Sequence, residues 1–154
     1  MLVAVLVAGC GSTAPHRISD RRPDAQQRLA GREFVWPLRG TVSSGFGGRG
    51  RGRHDGVDML APSGTDVRAA EPGITAYAGH GMRGYGNAVV LDHGDGVTTL
   101  YGHLATIRVR SGESVSGGAV IGTVGRTGNA SASHLHFELR VDGEPVDPME
   151  YLTP

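Results

Sequence analysis

The chain contains no lysine: all fifteen of its basic residues are arginine. Any role that depends on modifying a lysine is therefore excluded. Cysteine occurs once, at Cys10, so no disulfide forms within the chain. Net charge is missing too, because fifteen acidic residues balance the fifteen arginines. That balance argues against nucleic acid and against a broadly cationic membrane surface. The one long apolar run, LVAVLVA at residues 2–8, is too short to span a bilayer. From Phe34 onward no 11-residue window carries a convincing helical period, and no H-E-x-x-H motif occurs.

What is abundant is glycine, at 26 residues, scattered between short apolar segments. TVSSGF, GVDML, GITAYAG, NAVVLDH, VTTLYGHL, AVIGTVG and HLHFELRV are β-branched or aromatic runs bounded by Gly, Pro, Asp and Ser. DHGDGV and VDGEPV are hairpin turns, and Pro145 in the second points to an edge strand or a strand start. Residues 34–154 are thus expected to form one all-β domain, a compact antiparallel sandwich or barrel. The stretch 109–128, with glycines bracketing Val/Ile runs, resembles the small barrels of biotinyl and lipoyl carriers. A carrier function fails for want of a lysine. Residues 11–33 are polar and Arg-rich and read as a flexible tether, with a short helix around Asp24–Ala30. Residues 1–10 end in VAGC, which resembles a bacterial lipoprotein signal; this implies export and a lipid anchor on Cys10.

The chemistry concentrates in SASHLHFELR, residues 131–140. In a strand, His134, His136 and Glu138 share one face, while Leu135, Phe137 and Leu139 share the other. The two imidazoles then lie roughly 6.5–7 Å apart along the strand. Alone, such a pair is a surface strand or a packed pair as readily as a site. A catalytic zinc takes three N/O ligands and keeps a fourth position open, so partners are needed. RHDGVD at 53–58 supplies His54 and Asp58. Fully extended, their Cα atoms would be roughly 13 Å apart, too far for one ion, so the segment must bend at Asp55-Gly56. LYGHL supplies His103, in a strand where it would share a face with Tyr101. Glu138 reads as an outer or edge residue of the site. His16 belongs to the tether, His80 to a Gly-rich loop, and His93 to a structural hydrogen bond. GGRGRGR at 47–53 reads as a mobile loop beside His54, its arginines either solvated or meeting carboxylates of an acidic peptide.

With WPLRGTVSSGFGGR, HDGVDM, GYGNAVVLDHGDGVTTLYGHL and SHLHFEL in this order, the stretch from Trp36 to Tyr151 resembles the lysostaphin-type zinc metallopeptidases of bacterial cell walls. The resemblance implies that His54, Asp58 and His136 bind Zn²⁺, and that His103 and His134 are catalytic. It does not say which of the two takes a proton. It implies an endopeptidase acting on peptidoglycan stem peptides or cross-bridges. A second possibility is a non-catalytic regulator of another cell-wall hydrolase, and a third is a module that binds wall peptide without cutting it. Regulators of this kind have typically lost metal or catalytic residues, and all five are present here.

Overall fold

The computed structural model describes residues 24–49 and 52–153. Residues 1–10 and residues 11–23 of the expected tether lie outside it. The folded part is almost entirely antiparallel strand, as expected, with one short helix α1 (Ala25–Leu29) and one 3₁₀ turn. The strands are β1 (Phe34–Val35), β2 (Thr41–Ser44), β3 (Gly47–Arg49), β4 (Gly52–His54), β5 (Val57–Leu60), β6 (Asp66–Arg68), β7 (Gly73–Met82) and β8 (Gly86–Asp92). They continue as β9 (Val97–Gly102), β10 (Leu104–Ile107), β11 (Ser114–Val115), β12 (Val120–Val124), β13 (His134–Val141), β14 (Glu144–Val146) and β15 (Leu152–Thr153). The large sheet runs β11-β7-β8-β9-β13-β5-β2, with β14 paired to β13, and a smaller sheet runs β10-β12-β6.

Alternation along β13 decides which side of it meets the core. Leu135, Phe137, Leu139 and Val141 join Val57 and Met59 of β5 and Tyr101 of β9 in one cluster with Leu104, Ile121 and Val124 from the smaller sheet. Phe137 and Tyr101 are cross-strand partners with ring centroids 5.3 Å apart, the kind of pair that holds register. Both expected hairpins form. Asp142 and Gly143 take φ 52° and 84°, the left-handed pair that a two-residue turn between twisted strands requires. Pro145 sits on β14, which pairs only with β13.

Two expectations need correction. The described residues of GGRGRGR are strands, not loop: β3 pairs with β4, Gly47 opposite His54. Residues 24–33, which their polar composition assigns to a tether, are also docked against the domain. Asp24 caps α1 by accepting from the Gln27 N–H at 2.8 Å, and Leu29, 2 % exposed, enters the core. Arg32 then donates to Glu71 at 3.0 and 3.2 Å, to the His93 and Gly94 carbonyls and to Asp95 at 3.2 Å. Arg28 binds the Asp95 carbonyl and, at 3.2 Å, Asp142. A single leucine and two arginines thus dock a segment that looks like linker by composition.

Leu29→Ala should therefore cost about 2–4 kcal/mol in urea unfolding, the usual range for emptying a leucine site. A cost near zero would mean that α1 only rests against the domain.

Candidate metal and catalytic site

Strand register assembles the site. On β13, His136 lies opposite Asp58 of β5 on one side and Gly102 of β9 on the other. His134, two residues back, points to the same face. His54 arrives from β4 because the chain bends at Asp55-Gly56. Gly56 makes the bend possible: a Cβ there would lie 2.2 Å from the Phe137 carbonyl oxygen and 2.8 Å from Glu138 Cγ. The result is a triangle of donor atoms. His54 Nε2 lies 3.1 Å from both Asp58 Oδ1 and His136 Nδ1, and the last two are 2.8 Å apart. These edges approach the roughly 3.3 Å edge of a tetrahedron whose ligands lie about 2.0 Å from zinc.

The outward nitrogens settle which atoms face inward. His54 Nδ1 is 2.7 Å from the Gly45 carbonyl, which only accepts, so the proton sits on Nδ1 and the Nε2 lone pair points to the centre. His136 is turned the other way round. Its Nε2 donates to Glu138 Oε1 at 2.9 Å, leaving Nδ1 for the centre. Three electron-pair donors converge, an arrangement suited to a cation. Among the described residues this is the one group with metal-ligand composition and spacing.

Glu138 is wholly buried and bound three ways, by His136, by the Tyr85 hydroxyl at 2.7 Å and by Arg140 Nε at 2.5 Å. Burial alone would raise its pKa, but the hydrogen bonds from His136, Arg140 and Tyr85 hold it below the usual carboxylate range. In turn, burial disfavours a charged His136, yet Asp58 and Glu138 lift it to about 9. A proton there stands where a metal ion would, so metal uptake must displace it.

His103 and His134 complete the group. Their rings lie 4.6 Å apart, and His103 is 5.9 Å from His136. His134 Nε2 is 3.7 Å from Asp58 Oδ1. Each ring donates Nδ1–H to a backbone carbonyl, His103 to Thr127 at 2.7 Å and His134 to Ala132 at 2.9 Å. Both Nε2 atoms are therefore proton acceptors. His103 does not share a face with Tyr101 as a continuous strand would require. β9 stops at Gly102, and His103 takes φ 61°, a left-handed conformation that re-aims its side chain into the cleft while Tyr101 stays in the core. Burial pushes its pKa below 6.5, so the ring is neutral near pH 7.

All five residues gather at one cleft of about 580 Å³, with Arg53, Arg83, Tyr85, Asn129 and Ser131 also on its walls. A larger concavity, about 1080 Å³, lies between residues 35–40 and β6 and holds none of the five. His93 is structural, as expected, bonded to the Pro72 carbonyl and to Thr99 at 2.8 Å each. His80 pairs with Asn87 and stays out of the cleft. Tyr85 and Thr127 were not anticipated as site residues. The signal for Tyr85 was its setting between Gly84 and Gly86, where the chain folds tightly against residues 127–128.

Residues 52–148 match Peptidase family M23. The chain belongs to that family. It is 42% identical over 123 residues to the cell division protein DipM of Caulobacter vibrioides, covering 75% of this chain and 20% of that protein. It is 46% identical over 101 residues to the DD-carboxypeptidase/endopeptidase Mpg of Neisseria meningitidis, covering 66% and 23%. The murein hydrolase activator NlpD of Salmonella typhimurium is 38% identical over 117 residues, covering 76% and 30%. The chain thus spans under a third of the length of each of these relatives. Among solved structures, the catalytic domain of lysostaphin from Staphylococcus simulans superposes with TM-score 0.68 at 35% identity, covering 73% of this chain and 91% of that one. A zinc-containing peptidase from Vibrio cholerae gives TM-score 0.71 at 32% identity, covering 80% and 41%. The family is zinc-dependent, and the His-Asp-His group fits that ion.

Glu138→Gln keeps the shape of the side chain and removes its charge. It is expected to weaken zinc binding about 10–100-fold in a chelator competition, the usual effect of disturbing a ligand's hydrogen-bond partner. Unchanged affinity would mean that Glu138 does not orient His136.

Proposed function

We propose that this M23 domain is a zinc-dependent endopeptidase that hydrolyses peptide bonds in peptidoglycan stem peptides or cross-bridges. His54, Asp58 and His136 would hold the ion, and His103 and His134 would work on the substrate. The observation that carries this reading is the joint geometry. Three inward donors form a triangle, and beside it stand two imidazoles with Nδ1 tied to carbonyls and Nε2 left available. Bound zinc supplies Lewis-acid polarisation of the scissile carbonyl and acidifies water. The protein's own residues do the rest. A neutral His103 or His134 accepts a proton at Nε2 and returns it to the leaving amine. The other imidazole accepts a hydrogen bond at Nε2 from the attacking water and orients it. The carbonyl bonds at Nδ1 hold both rings in the tautomer this requires.

A second reading is favoured by a specific finding, the likeness to the murein hydrolase activator NlpD. In it the domain would regulate another wall hydrolase. The complete set of five residues supports the enzyme. Lipoprotein names among the relatives support export, with a lipid on Cys10 as the proposed anchor; Cys10 lies outside the described residues. Among those residues no helix is long and apolar enough to cross a membrane.

Incubating the zinc-loaded protein with purified peptidoglycan, and reading soluble products by mass spectrometry, separates the two readings. New peptide termini are expected from the wild type. Intact peptidoglycan with one zinc bound per chain would favour the regulator. His136→Ala should lose zinc and activity together, whereas His134→Ala and His103→Ala should keep zinc and lose activity. The opposite pattern at 134 and 136 would reverse their roles. The sign of the pH dependence follows from His103. Because its pKa is lowered, the neutral form persists as pH falls past 6.5, and the acid limb of kcat/KM should lie below that value.

A further inference from the structure

Two arginines, Arg53 and Arg83, line the cleft, and a third, Arg140, stands behind it on Glu138. Arg140 bonds Glu138 at 2.5 Å and the Gly143 carbonyl at 2.8 Å, with Asp55 at 3.7 Å. Arg53 pairs with Asp55 at 3.3 Å and lies 5.4 Å from the centre of the Phe46 ring. Arg83, on the cleft wall, has no hydrogen bond or ion pair among the described residues. The acidic groups nearby are spoken for, Asp58 in the donor triangle and Glu138 buried among three partners. The remaining wall residues Tyr85, Asn129 and Ser131 are uncharged. A cation at this rim therefore faces the cleft uncompensated.

The root of Arg83 is also held firmly. The Tyr85 N–H donates to the Met82 carbonyl at 3.1 Å across the turn. The Gly84 carbonyl accepts from the Asn129 N–H at 2.9 Å, and the Tyr85 carbonyl from the His103 N–H at 2.7 Å. Gly86, at φ 69°, lets this turn press against residues 127–128, where a Cβ would lie 2.4 Å from the Gly128 nitrogen. The guanidinium thus swings from a turn whose Tyr85 carbonyl is bonded to the backbone of His103. Its paired N–H groups match the two oxygens of a carboxylate, which lysine or a neutral group does not reproduce.

We infer that Arg83 anchors a substrate carboxylate close to the scissile bond, so that the cleft selects acidic peptides over neutral ones. This rests on the endopeptidase reading above. An oligoglycine bridge offers the guanidinium nothing to bind, and a basic side chain at that position is repelled.

The test uses the zinc-loaded full chain and two probes: a cross-linked stem-peptide dimer with free α-carboxylates, and the same dimer with those groups as primary amides. The wild type is expected to favour the acid form about tenfold in kcat/KM, in line with a charge-assisted hydrogen bond. Arg83→Gln should bring that ratio to within about twofold, and Arg83→Glu should invert it. Equal kcat/KM for the two dimers in the wild type, or an unchanged preference in Arg83→Gln, would overturn the proposal. If the wild type cuts neither dimer, the endopeptidase reading has failed, and equilibrium binding of the same dimers decides the role of Arg83 alone. Tighter binding of the acid form that vanishes in Arg83→Gln would support a carboxylate anchor. Equal binding would overturn it.

Discussion

The site depends on one row of cross-strand partners, Asp58, His136 and Gly102, running across β5, β13 and β9. Side chains in such a row point the same way, so register alone brings a carboxylate of one strand against an imidazole of the next. A slip of one residue would turn His136 toward the core and Phe137 toward the cleft. The slip is opposed from behind, because Leu135, Phe137 and Leu139 are each at most 1 % exposed and would have to leave an apolar interior. Gly102 completes the row by having no side chain. A Cβ there would press on the Tyr85 ring at 3.2 Å, and Tyr85 in turn bonds Glu138.

From that row the rest of the centre is organised by where each imidazole sends its second nitrogen. His54, His103 and His134 give Nδ1–H to a backbone carbonyl and turn Nε2 to the cleft. His136 alone uses a side-chain acceptor, Glu138, and so presents Nδ1. The difference follows from the strand: residues 136 and 138 share a face, and a glutamate two positions on reaches the far nitrogen of the ring. Arg140, next on that face, holds the glutamate and extends to Asp55 in the bend between His54 and Asp58. One chain of charged groups thus links the strand that carries His136 to the bend between His54 and Asp58.

Much of this could be read in advance, because it rests on the two-residue period of strands and on glycine-marked turns. The faces of β13, the need for a bend at Asp55-Gly56 and the hairpin turns follow directly from those patterns. His103 escaped them. Periodicity assumes an unbroken strand, whereas φ 61° at that residue ends β9 and reverses the direction of its side chain. The pairing of β3 with β4 was hidden by glycine content that resembles a loop, and the docking of residues 24–33 by a composition with one buried leucine. In that segment specific pairing of Arg28 and Arg32 with turn carbonyls and carboxylates takes the place of hydrophobic patterning. Tyr85 became visible only once β8, β9 and β13 stood side by side.

The docked N-terminal segment also has a mechanical meaning. Arg28 and Arg32 grip the turn joining β8 to β9 and the turn after β13, at Asp142. His103 and His134 belong to the other ends of β9 and β13. The chain therefore enters the domain at one pole and carries its chemistry at the other. Any pull transmitted through the residues before Asp24 falls on α1 and its two arginines, with the length of the strands between that load and the cleft. Held from that side, the domain works like a tool gripped by its handle, its open face directed away from whatever holds it.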